Sequence, residues 1–82
     1  MSMNDRSKAV RAGLRSLAPA VSIPYIKSFQ LPEEEELVLI DIDARGKSVQ
    51  QVAMAHALSV ETVGRRRRRA LAKIAKVKGG IA

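Results

Sequence analysis

The residues best suited to chemistry lie in the last third of the chain. Arg65, Arg66, Arg67, Arg68 and Arg69 are consecutive, and Lys73, Lys76 and Lys78 follow. Glu61 is the only acid among residues 59–82, so this segment carries +7, while residues 1–58 hold seven bases and seven acids and sum to zero. Such asymmetry points to a polyanionic partner, most simply nucleic acid. A helix turns about 100° per residue, so five successive arginines sweep every face and cannot all meet one ligand. Arg65 and Arg68 share an outward face with Ser59, Glu61 and Gly64, and are expected at a DNA groove or its flanking phosphates. Arg69 either contacts DNA or pairs internally with a carboxylate from Glu33 to Glu36. Glu61 lies just after a helix cap, where a carboxylate can accept from cytosine N4. Favourable charge at a helix N-terminus is its other reading, and both stay open.

Other chemistries find no support. The chain has no cysteine and one histidine, which rules out a Cys-based metal site or a disulfide framework. No nucleophile stands in register with a base, and no glycine loop could cradle a phosphate, so the expectation is a non-enzyme without cofactor or metal. Tyr25 and Phe29 are the only aromatics, too few for the stacking platform of a single-strand RNA binder. No apolar run reaches the roughly 18 residues of a membrane span, and the basic N-terminus lacks a signal-peptide core. A cytoplasmic protein is expected. His56 reads as a partly buried neutral ring, Glu33 to Glu36 as a solvated helix start, and Asp41 and Asp43 as surface or capping groups.

The elements that must position these residues are helices. Periodicity predicts an all-α fold, a small bundle of four or five helices with a C-terminal helix-turn-helix. A first helix spans about Asn4 to Leu17, with Asn4 or Ser7 as cap. A second, short one starts at Ser22 with Pro24 in its first turn and Tyr25, Ile26 and Phe29 facing inward. The third has Pro32 in its first turn, buries Leu37 to Ile40 and Ile42, and stops at Gly46. Ser48 caps a fourth carrying Val49, Val52, Ala53 and Ala57. Ser59 caps a fifth, running through Val63, Ala70, Leu71 and Ile74 to Gly79-Gly80.

The stretch 48–63 has the spacing of a helix-turn-helix. Val52 and Ala53 line the inner face, Leu58 plugs the turn, and Val63 packs back from the second helix. A longer stretch, Leu31 to Ile74, resembles the region-4-like domain of bacterial sigma factors, including stand-alone phage versions. Leu31-Pro32 with its Glu run resembles that family's first helix, and residues 46–53 its loop and third helix. Residues 58–63, Arg69-Ala70-Leu71 and Ile74 resemble its recognition helix. The resemblance implies a base-reading role for Glu61. Gly64 stands where the family has a base-contacting arginine, so a sigma-type promoter sequence does not carry over. His56 also departs, standing where the family has a large apolar side chain. So do Arg66 and Arg67, which cover positions where the family has an apolar residue; the resemblance implies that their stems lie along the core with their heads at its edge.

The expected organisation is an N-terminal helical extension over 1–30, the DNA-binding domain over 31–78, and a frayed tail over 79–82. The expected function is sequence-specific double-stranded DNA binding by a small transcriptional regulator, with helix 59–76 in the major groove. The contact set is Ser48, Ser59, Val60, Glu61, Thr62, Gly64, Arg65, Arg66, Arg68 and Arg69. A complete sigma factor is not expected, since 82 residues leave no room for polymerase-binding and promoter-melting regions alongside it. The alternative is an adaptor that contacts RNA polymerase or a phage packaging enzyme. Val10, Leu14 and Leu17 are the candidate seam of a homodimer, or equally a cover for the domain's own core.

Overall fold

The computed structural model describes the backbone of residues 3–81 and the side chains of residues 7–77. Its elements are α1 (Met3–Arg15), α2 (Pro19–Lys27), α3 (Glu33–Leu39), α4 (Val49–Ala55) and α5 (Val60–Ile81), and α3 continues directly into a π-helical turn, Ile40–Ala44. No strand occurs among the described residues, and no helix is long and apolar enough to cross a membrane. The fold is therefore all-α with five helices, as the periodicity predicts.

Several boundaries differ from the sequence expectation, and the first helix ends at Arg15, short of Leu17. The second helix begins at Pro19, where a fixed φ suits the first helical position, and not at Ser22. Ser22 is consequently fully buried, and Pro24 sits inside the helix on an exposed face. The fifth helix passes through Gly79-Gly80 to Ile81. Ala82 lies outside the described residues, as do the side chains of the expected tail. Asn4 and Ser7, the candidate caps of the first helix, both fall within α1.

Two apolar clusters hold the chain together. Val10 and Leu14 of α1, Ile26 of α2, Leu39, Ile40 and Ala44, and Ala70, Leu71, Ile74 and Ala75 of α5 form the larger one. Val38, Ile42, Val52, Ala53 and Val63 form the smaller, covered by Val49 and Leu58. Val10 and Leu14 are thus consumed by the chain's own core, which removes them from the expected dimer seam. Leu17 remains partly exposed. Both α5 and the α3–π segment contribute to each cluster, so these two elements tie the halves together.

The π turn occupies the centre of the bundle, and each of its residues from Ile40 to Ala44 is buried. Its wider winding shows in the Arg45 N–H donating to the Ile40 carbonyl at 2.9 Å. Gly46, at φ 75°, ends it and lets the Lys47 N–H return to the Asp41 carbonyl at 2.9 Å. Because no face of this turn is left to solvent, Asp41 and Asp43 are buried. The expectation that they are surface groups is corrected. Buried carboxylates need partners, and α1, α5 and the segment 45–56 supply them.

Candidate nucleic-acid interface

The segment from Ser48 to the start of α5 is fixed by its end groups. Ser48 Oγ accepts from the Gln51 N–H at 3.1 Å while Gln51 Oε1 accepts from the Ser48 N–H at 2.8 Å, a complete capping box. At the other end of α4, Leu58 N–H donates to the Ala53 carbonyl and Ala57 N–H to the Met54 carbonyl. These are the two bonds of a Schellman motif. Its left-handed residue is Ala57, at φ 54°, where glycine is usual. Ser59 then caps α5: its Oγ accepts from the Thr62 N–H at 3.1 Å and donates to Thr62 Oγ1 at 2.8 Å. The turn between the helices is four residues, His56 to Ser59.

Sequential arginines of α5 meet different surroundings. Arg67 points inward: its Nε and Nη2 donate to Asp43 Oδ2 and Oδ1 at 2.8 and 2.7 Å. Arg66 is half-buried in a shallow hollow with Glu34, Leu37, His56 and Leu58. Arg65, Arg68 and Arg69 are exposed, as is Lys76 farther along. The internal pairing expected of Arg69 belongs to other bases. Arg67 takes Asp43, and Lys73 Nζ donates to Glu35 Oε1 at 2.8 Å. Glu35 is accordingly buried, in contrast to the solvated helix start expected for its segment.

The expected contact residues divide between several surfaces. Val60, Glu61, Gly64 and Arg68 line one open groove with Lys8 and Arg11 of α1. Arg65 and Arg69 occupy the outward face of α5, and Ser59 is exposed at its start. Thr62 is half-buried and engaged in the cap. Arg66 faces the hollow described above, away from the groove. Ser48 is exposed at the far end of α4 from the turn.

His56 is more exposed than its sequence reading suggests, with 40% of its side chain accessible, and its Nε2 lies 3.6 Å from Asp41 Oδ2. Arg45 Nη1 and Lys47 Nζ approach Asp41 Oδ1 at 3.4 and 3.9 Å. Asp41 thus gathers three side chains at the base of the α4–α5 turn. Among the described residues no three acidic, histidine or cysteine side chains are grouped to hold a metal ion.

Lys8 and Arg11 are absent from the sequence-derived contact set. Lys8, Arg11 and Arg15 recur at three and four residues, on a face that adjoins the one bearing the buried Val10 and Leu14. No family model, curated protein or solved structure matches this chain.

Proposed function

We propose that the chain binds double-stranded DNA sequence-specifically as a small transcriptional regulator, with α4, the turn and α5 acting as a helix-turn-helix. In this reading the start of α5 enters the major groove, with Ser59, Glu61, Gly64, Arg65 and Arg68 nearest the bases and flanking phosphates. The observation that carries it is the division of basic residues on α5. Arg67 and Lys73 are committed to buried carboxylates. Arg65, Arg68, Arg69 and Lys76 remain exposed on a helix whose one acid is Glu61. A helix that needed positive charge only for packing would have no use for the second group. The caps at Ser48 and Ser59 and the ion pairs at Asp41 and Asp43 hold the two helices in fixed relation, which base recognition demands.

Selection of bound molecules from a random duplex library tests the reading. Enrichment of one short common sequence is expected. Recovery of an unenriched pool would contradict specificity, even if binding were tight.

A further inference from the structure

We infer that α1 is part of the DNA interface, and that the groove between α1 and α5 seats one strand of the duplex backbone between Lys8 and Arg11 on one side and Arg68 on the other. This rests on the DNA-binding reading above and adds a second helix to it.

Three observations converge on the groove. Its rims are basic on both sides, and the bases come from two elements far apart in sequence. Lys8 and Arg68 are exposed, and Arg11 is half-buried. Among the described residues none of the three takes part in an ion pair, and the pairs present use Arg15, Arg45, Lys47, His56, Arg67 and Lys73. Their charge is therefore available to a ligand.

The second observation is Gly64 at the floor. Glycine inside a helix lowers its stability relative to alanine, so it calls for a reason. Packing gives none: among the described residues a Cβ built there would meet the Arg68 guanidinium Nη1, at 3.3 Å, and no backbone of another helix. The missing side chain leaves room for a ligand backbone to come close to the helix, a common use of glycine.

The third is Glu61, the one carboxylate that lines the groove among the described residues. A carboxylate among bases would repel a simple polyanion. A duplex offers both partners, phosphates for Lys8, Arg11 and Arg68 and an amino group on a base edge for Glu61. This mixed chemistry favours duplex DNA over an acidic protein surface.

The test compares four single variants, Lys8→Ala, Lys8→Arg, Arg11→Ala and Lys27→Ala, by fluorescence anisotropy on a labelled random-sequence duplex across a salt series. Lys27 is an exposed base on α2, which does not line the groove, so Lys8→Ala and Lys27→Ala remove the same charge from different places. Lys8→Ala and Arg11→Ala are each expected to reduce the slope of log K against log salt by about 0.9. Lys27→Ala is expected to leave it unchanged, and Lys8→Arg to restore the wild-type slope. Circular dichroism confirms that each variant keeps its helices. Equal slopes for the Lys8 and Lys27 variants, with wild type bound, would overturn the role of α1 while leaving DNA binding by α5 intact. Failure of the wild type to bind duplex would overturn both readings.

Discussion

Arg67 grips Asp43 through two parallel hydrogen bonds, Nε to Oδ2 at 2.8 Å and Nη2 to Oδ1 at 2.7 Å, across the seam between the two apolar clusters. The Asp43 side chain is wholly buried and that of Arg67 is 14% exposed. Arg15 adds a weaker contact, with Nε 3.6 Å from Asp43 Oδ1. The pair locks α5 onto the π turn, and so sets where the neighbouring Arg65, Arg66, Arg68 and Arg69 point.

Removal of one partner should be costly. Arg67→Met leaves a buried carboxylate facing only the guanidinium of Arg15, and a loss of about 3 kcal/mol is expected. A domain of this size has roughly 4–12 kcal/mol in total. The corresponding fall in Tm is about 12–24 °C. Arg67→Met combined with Asp43→Leu should recover most of that loss, because no charge is then stranded. A single variant within about 1 kcal/mol of wild type would show that the pair does not lock the helices.

Ala57 offers the opposite case. It holds the left-handed position of the Schellman motif after α4, which carries a steric penalty for any residue with a Cβ. Ala57→Gly should raise stability by about 0.5–1 kcal/mol, the relieved strain exceeding the added chain entropy of the unfolded state. Urea unfolding checks it, and a lower midpoint would contradict the assigned turn geometry.

Glu61 separates helix stabilisation from base reading. Glu61→Gln removes favourable charge from the first turn of α5, worth about 0.3–1 kcal/mol of stability. If the side chain also reads a base, the preferred sequence changes at one position, by about 1–3 kcal/mol in discrimination. Repeating the library selection with this variant distinguishes the roles. An unchanged preference would confine Glu61 to the helix end.

Gly64→Ala is expected to move stability and binding in opposite directions. The helix should gain about 1 kcal/mol from the better helix former. The only neighbour of the new methyl is the flexible tip of Arg68. Duplex affinity should nevertheless fall, since the methyl fills the floor of the α1–α5 groove. Stronger binding together with higher Tm would remove the reason given for the glycine.

The fold was largely legible, because α3, α4 and α5 carry strong local signals. Ser48 with Gln51, Ser59, Gly46 and the apolar spacing from Val52 to Ile74 all act over a few residues. What was hidden depends on contacts remote in sequence. Asp43 lies 24 positions from Arg67 and Glu35 lies 38 from Lys73, so nothing local marks either acid as buried. A helical register drawn through Ile40 to Ala44 misses the π turn, in which the Arg45 N–H reaches back five residues to the Ile40 carbonyl. Arg66 and Arg67 turn inward along α5, yet the carboxylate offered to Arg69 within Glu33 to Glu36 is taken by Lys73. Lys73 lies about one helical turn beyond Arg69, and only the placement of α3 against α5 decides which of the two reaches Glu35. The proximity of Lys8 and Arg11 to Arg68 likewise depends on how α1 packs against α5, which nothing local in the sequence marks.

The central claim is that the exposed bases of α5 bind the phosphates of duplex DNA. Anisotropy of a labelled random duplex, titrated with wild type and with Arg65→Ala/Arg69→Ala between about 50 and 300 mM salt, tests it most directly. Arg65, Arg68, Arg69 and Lys76 predict a wild-type slope of about −3.6, steepening towards about −5.4 if Lys8 and Arg11 also engage, and a double variant shallower by about 1.8. Binding that ignores salt, or a double variant with the wild-type slope, would contradict it.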